Sequence, residues 1–161
     1  CVTRRQRQMC IRDSSRFNKG ITAIYNISAS KSTQKKVALL FKNVGMVLDI
    51  QKETHMDDFT GLVGSGPAYF FYLLRVYEKR ILKLSNGDLE KKNLMISNLL
   101  DGVSKSIGSG ETTEALIKAV SSKKGTTEAG IKSFQSSQLL KSFDKGIAAA
   151  IKRSKEISSE F

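Results

Sequence analysis

The sequence predicts a mainly α-helical protein that opens with a strand–helix–strand unit. From Thr54 onward apolar residues recur at helical spacing with no convincing strand among them. The single proline, Pro67, leaves room for long uninterrupted helices, since proline breaks helix interiors. Residues 20–28 instead alternate apolar and more polar positions, the two-residue period of a half-buried strand.

In that first segment, Gly20 to Ser28, the residues Ile21, Ala23, Tyr25 and Ile27 share a face. Ser32 or Thr33 is placed to cap a helix running to Lys42, with Val37, Leu40 and Phe41 as its apolar side. Gly45 to Ile50 reads as a second strand. Strand, helix and strand make the unit of an α/β sheet, but the piece is too small to close a core alone. It reads as the last part of something larger. Pro67 to about Leu84 is apolar on nearly every side, through Tyr69, Phe70, Phe71, Leu73, Leu74, Tyr77 and Ile81, which predicts a buried helix. Asn86-Gly87-Asp88 ends it with turn chemistry. The next helix, about Leu89 to Ile107, carries a stripe of Met95, Leu99, Val103 and Ile107, and Gly108-Ser109-Gly110 stops it. Shorter helices follow at about Thr113 to Val120 and Glu128 to Phe134, separated by a polar loop. A final helix, Leu139 to Ser158, lines up Leu140, Phe143, Ile147 and Ile151. This much apolar helical surface predicts a bundle that buries part of itself in a partner chain.

Composition excludes several classes. The 161 residues are 40% apolar and 26% charged, a globular balance. No apolar run approaches the ~18–20 residues of a membrane span, and no signal-peptide pattern is present. Two cysteines, Cys1 and Cys10, make neither a disulfide scaffold nor a zinc site. The net charge of +12 raises the alternative of a basic helical module that binds nucleic acid or another partner. Against it, the lysines are scattered and the aromatics sit in an apolar helix.

The N-terminus differs from the rest. Residues 1–14 hold four of the eight arginines (Arg4, Arg5, Arg7, Arg12), both cysteines and none of the nineteen lysines. An Arg-rich arm suits a nucleic-acid or targeting tail. However, Met9-Cys10-Ile11-Arg12-Asp13 is what a transposon-based sequencing-library adaptor encodes in one frame. Residues 1–14 are therefore expected to be foreign to the gene, with the chain proper beginning near Ser15.

Two loops could carry chemistry. In Gly64-Ser65-Gly66-Pro67-Ala68, Pro67 suits the first helical position and Gly66 the cap before it. Free N–H groups at a helix start favour anions and polar cofactor groups, and two glycines permit close approach. Spacing alone favours the plainer account, a tight kink made for packing. The second loop, Ser121-Ser122-Lys123-Lys124-Gly125-Thr126-Thr127, gathers four hydroxyls, two ammonium groups and a glycine ahead of a helix. Such a loop suits a carboxylate or phosphate, and Glu128 is placed to cap the same helix end. An ordinary polar connection accounts for its composition equally well. His55 reads as a solvated residue and the adjacent Asp57 and Asp58 as favourable helix-start charges, not as metal ligands.

These loops resemble the pyrroline-5-carboxylate reductases. The family pattern T-[AG]-L-S-G-S-G-P-A-Y-x-F is matched by TGLVGSGPAYFF from Thr60 to Phe71. A V-[ST]-S-P-G-G-[AT]-T loop is matched about fifty residues later by VSSKKGTT from Val120 to Thr127. The closing [RK]-[ST]-[RK]-E-type helix is matched within AAAIKRSKEI, Ala148 to Ile157. The resemblance runs from about Ser15 to the end.

It implies an N-terminally truncated, C-terminal slice of a two-domain enzyme. Residues 15–52 would be the remnant of a Rossmann nucleotide-binding domain, and 53–161 a helical dimerisation domain of the 6-phosphogluconate dehydrogenase C-terminal type. The reaction implied is NAD(P)H-dependent reduction of 1-pyrroline-5-carboxylate to L-proline, in the cytoplasm. The substrate carboxylate would meet Ser121, Ser122, Gly125, Thr126 and Thr127, with Thr127 the best side-chain donor. Gly64, Ser65, Gly66 and Pro67 would line the pocket beside the nicotinamide. No catalytic acid–base pair and no metal is implied. The partners implied are a second copy, with a decamer as the higher assembly, and a small-molecule substrate, without nucleic acid or membrane. No strand followed by G-x-G-x-x-G is present, so NADP or NAD would be held mainly upstream and this piece alone would be inactive. The chain departs from the pattern at Val63, where serine is usual, at Lys123 and Lys124, which replace Pro-Gly, and at Lys118, where an acid is common.

Overall fold

The computed structural model describes residues 14–26 and 28–160. The expectation for residues 1–14 falls, apart from Ser14, outside the described residues, as does Ile27. The elements in order are β1 (Gly20–Tyr25), α1 (Lys31–Lys42), β2 (Gly45–Ile50), α2 (Thr54–Phe59), a π-helical turn (Thr60–Gly64), α3 (Gly66–Leu84), α4 (Leu89–Ile107), α5 (Thr113–Ala119), α6 (Thr126–Ser136) and α7 (Leu139–Ser158). The protein is mainly α-helical, as its sequence predicts. The described residues form two compact units, one of those up to Tyr69 with those from Asp144 on, and the other of Phe70–Phe143.

In the first unit β1 and β2 pair in parallel, from Gly20 opposite Gly45 to Tyr25 opposite Ile50. The pair starts where two backbones touch: Gly45 has φ +147°, and a Cβ there would overlap Gly20. Between the strands, α1 is capped by Ser30, whose hydroxyl accepts the Thr33 N–H at 3.2 Å. The sequence places that cap at Ser32 or Thr33. The helix starts earlier because Asn26 folds the preceding loop back, accepting the Ala29 N–H at 2.8 Å.

The same unit joins α2 to the end of α7. Asp57 Oδ1 accepts both the Ser154 hydroxyl (2.7 Å) and the Ser158 hydroxyl (2.8 Å), and Ser154 is only 3% exposed. Hydrogen bonds to a charged acceptor contribute about 1.5–3 kcal/mol each. Beside them Gly61 lies against α7, where an added Cβ would stand 2.9 Å from the Ile151 backbone nitrogen. Asp57 thus does more than favour the start of α2: it ties together segments almost a hundred residues apart.

The second unit is built differently. Ser85 is buried and bonds the carbonyls of Leu82 (3.2 Å) and Asp88 (2.9 Å), closing the turn after α3. The turn that the sequence predicts there takes left-handed conformations at Asn86 (φ 52°) and Gly87 (φ 84°). Asp88 caps α4 through the Lys91 N–H at 2.9 Å, and Thr112 caps α5 through the Ala115 N–H at 3.2 Å. Lys92 pairs with Glu78 at 3.1 Å, linking α4 to α3. Ile81 is the buried hydrophobic side chain among the described residues. Much of the apolar surface of α3 is not covered in the single chain, contrary to the sequence expectation: Phe70, Phe71, Tyr72, Val76 and Tyr77 are all exposed. So is the α4 stripe of Met95, Leu99, Val103 and Ile107. These helices are amphipathic or apolar in sequence, yet the described residues of one copy leave most of their apolar side chains uncovered.

Candidate functional site

Gly64 to Pro67 lie in the first unit, at the junction of the π-helical turn and α3. The sequence places Gly66 as the cap and Pro67 as the first helical residue. Instead α3 begins at Gly66, because the chain before it is already helical through α2 and the turn. Ser65 donates its N–H to the Thr60 carbonyl at 3.0 Å, five residues back, which is the π spacing. The Tyr69 hydroxyl donates to the Gly61 carbonyl at 2.9 Å, and the Thr60 hydroxyl to the Met56 carbonyl at 2.8 Å, closing the turn from both ends. Ala68 N–H is taken by the Ser65 carbonyl at 3.0 Å, and Pro67 has no N–H. The donors at this helix start are therefore fewer than the sequence promises. Neither Gly64 nor Gly66 has an atom within 4 Å of where a Cβ would stand, although Gly66 is buried and Gly64 half-buried. Of the two, Gly64 is the position a flat group or another backbone can approach.

Ser121 to Thr127 lie in the second unit, between α5 and α6. Ser121 turns back onto its own helix, its hydroxyl donating to the Ile117 carbonyl at 2.7 Å. Ser122 accepts the Gly125 N–H at 3.0 Å, and its hydroxyl lies so close over Gly125 that a Cβ there would overlap it. Glycine at 125 is thus demanded by contact, its φ of −83° being ordinary. Side chains cap α1, α4 and α5, whereas Gly125 supplies none to α6. The first N–H groups of that helix therefore face outward without a side-chain acceptor from the cap position. Thr126 is exposed and Thr127 half-buried at the same helix start. A helix start of this kind, with hydroxyls and two lysines beside it, attracts anions.

Two features of this loop escape sequence reasoning. Lys124 has φ 59°, in the left-handed region that costs a residue with a side chain about 1–2 kcal/mol. Glu128 does not reach the N–H of the cap residue. It accepts the Lys124 N–H at 2.5 Å and pairs with Lys132 at 2.6 Å. The Lys132 hydrogen bond, then the Lys124 N–H, then the Lys132 charge hold the Glu128 carboxyl below its ordinary range. The signal for the first was present in the resemblance, since the reductase pattern carries glycine where Lys124 stands.

Among the described residues no group of His, Cys, Asp and Glu side chains could hold a metal ion. None of their helices is long and apolar enough to cross a membrane. A dinucleotide would need a pyrophosphate cradle at the sheet, and the residues after β1 do not fit one. The start of α1 is already capped by Ser30, and no glycine lies between β1 and α1 to let phosphates approach the backbone.

A family profile described as pyrroline-5-carboxylate reductase dimerisation matches residues 53–157. The chain is 36% identical over 131 residues to pyrroline-5-carboxylate reductase 1 of Bacillus spizizenii, an alignment covering 81% of this chain and 44% of that protein. Its fold is similar to 1-pyrroline-5-carboxylate reductase of Streptococcus pyogenes, with a TM-score of 0.77 at 26% identity over 89% of this chain and 55% of that one. It is also similar in fold to Plasmodium falciparum pyrroline carboxylate reductase, solved with NADP bound, with a TM-score of 0.71 at 23% identity over 87% of this chain and 53% of that one. The chain spans about half the length of the relatives it matches.

Proposed function

Because the chain belongs to the pyrroline-5-carboxylate reductase family, we propose that it is the C-terminal portion of an enzyme reducing 1-pyrroline-5-carboxylate to L-proline. In this reading residues 15–52 close a nucleotide-binding domain and 53–161 form the dimerisation and substrate-loop domain. The observation that carries it is the start of α6: a helix without a side-chain cap, preceded by Ser122 and Gly125 and opening with Thr126 and Thr127.

The substrate is an anion through its carboxylate. The N–H groups of the first turn of α6 would receive that carboxylate, with the Thr127 hydroxyl as the side-chain donor and Ser122 shaping the turn. Ser121, whose hydroxyl is engaged by Ile117, would contribute backbone and not side chain. The exposed ammonium group of Lys123 would add attraction. Gly64, Ser65, Gly66 and Pro67 would form the cofactor-facing wall, where the half-buried Gly64 presents no side chain to a flat ring. The nicotinamide cofactor, NADP or NAD, supplies the hydride for the C=N carbon. In this reading the dinucleotide is held mainly by a part upstream of this chain, and this chain by itself would be inactive. The contribution of its own residues is positioning, which suffices for an imine that arrives protonated and needs no acid from the protein.

A second copy would cover the exposed faces of α3 and α4, and soluble cytoplasmic dimers, assembling further to a decamer, complete the reading. Thr127→Ala, placed in the polypeptide completed with its cofactor-binding part, is expected to raise the KM for pyrroline-5-carboxylate about tenfold, one lost charge-assisted hydrogen bond. Steady-state NAD(P)H oxidation measures it, and wild-type kinetics in that variant would remove the α6 assignment. The alternative, a basic module binding nucleic acid, requires retention on DNA or RNA that falls steeply with salt.

A further inference from the structure

Glu128 sits at the third residue of α6, from which an acidic side chain ordinarily reaches back to the N–H of the cap residue. That N–H is already spent, since Gly125 donates to the Ser122 carbonyl at 3.0 Å. The carboxylate reaches one residue further instead. One oxygen accepts the Lys124 N–H at 2.5 Å and the other the Lys132 ammonium at 2.6 Å. Lys124 is exposed and left-handed, a state that glycine adopts freely and lysine resists. The hydrogen bond to Glu128 therefore acts where the backbone most needs holding.

Two effects follow for the helix start. The turn at 123–125 keeps one shape, so Ser122 stays folded over Gly125. Both carboxylate oxygens are also committed, one to Lys124 and one to Lys132. The charge is balanced by Lys132 and not set against an approaching anion. We infer that Glu128 is a positioning residue for carboxylate binding, latching the left-handed turn at Lys124 so that the first N–H groups of α6 stay aimed and open to the substrate. The inference rests on the reading of the α6 start as the carboxylate site. It makes Glu128 and Lys124 a pair: the chain carries a lysine where the reductase pattern has glycine, and holds it with an acid one helical turn on.

The test has two arms. In the 161-residue chain labelled with ¹⁵N, the Lys124 amide proton is expected far downfield at neutral pH. It should move upfield in Glu128→Ala and partway in Glu128→Gln, which keeps an acceptor without the charge. An amide unmoved by Glu128→Ala overturns the latch. In the polypeptide completed with its cofactor-binding part, Glu128→Ala is expected to raise the KM for pyrroline-5-carboxylate about fivefold, with kcat within about twofold. Adding Lys124→Gly should restore the KM, because glycine holds the turn unaided. A double variant as impaired as the single one, or a loss confined to kcat, overturns the positioning role. Completed wild-type polypeptide that forms no proline removes the carboxylate reading and this role with it, while the amide arm still decides the latch.

Discussion

The two compact units hold themselves together by opposite means. In the first, the decisive contacts span the chain: Asp57 accepts from Ser154 and Ser158, and Gly61 packs on Ile151. In the second, hydrogen bonds and ion pairs are mostly local, such as the Asp88 and Thr112 caps and the Asp101–Lys105 and Glu128–Lys132 pairs one turn apart. Local devices shape helices but contribute only tenths of a kcal/mol to about 1 kcal/mol each. They do not replace a core. With Phe71 68% and Leu99 44% exposed, the second unit has its apolar surface still to bury, and a second copy is the occupant our reading assigns. The first unit leaves apolar side chains exposed as well, Leu39, Leu40 and Met46 among them, so what sets it apart is the reach of its polar ties and not a core of its own.

The largest expected effect comes from placing a charge on the unburied stripe. Leu99→Glu changes an exposed side chain in one copy and should leave the isolated helix intact, but in a pair it would bury a carboxylate. We expect the dimer dissociation constant to rise about a hundredfold or more, read by sedimentation velocity. Unchanged mass in the variant would break the comparison at its centre. Next comes Asp57→Ala, which strands the buried Ser154 hydroxyl and should cost about 1–3 kcal/mol in chemical denaturation. A midpoint equal to wild type would mean that the Asp57 ties do not hold the first unit together.

The smallest effect is a pH dependence belonging to the second unit. The Glu128 carboxyl is held below its ordinary value of 4.5 by Lys132 and the Lys124 N–H. Its stabilisation is therefore complete above that value and lost as pH falls through the lower folded value. The exposed site makes the change slight. In an acid titration of the melting temperature, wild type should lie slightly above Glu128→Gln at neutral pH, with the gap closing as pH falls below about 4.5. A gap that persists unchanged into acid would show that another group is responsible.

What the sequence discloses follows the range of each interaction. The bounds of α4 and α7 agree with the residues expected, because Asn86-Gly87-Asp88, Gly108-Ser109-Gly110 and the apolar stripes are signals within a few positions of one another. The union of Asp57 with Ser154 and Ser158 has no such signal, as no periodicity connects residues almost a hundred positions apart. Gly64-Ser65-Gly66 reads as a loop, and so hides the helical continuity from α2 into α3. In the Ser121–Thr127 loop the hydroxyls, the glycine and the helix after it were legible from composition. The left-handed Lys124 was not, since lysine is the wrong residue for that conformation. Its partner Glu128 was visible as a cap, but with a different N–H as its target.

The π-helical turn at Thr60–Gly64 has a consequence for how this segment could change over time. Such a turn accommodates one surplus residue, and each residue advances a helix by about 100°. Losing a single codon there would return the segment to ordinary pitch and swing Gly66, Pro67 and all of α3 through more than a quarter rotation. A length change of one, tolerated in most surface loops, would here act like a slipped gear tooth, repointing every downstream face at once.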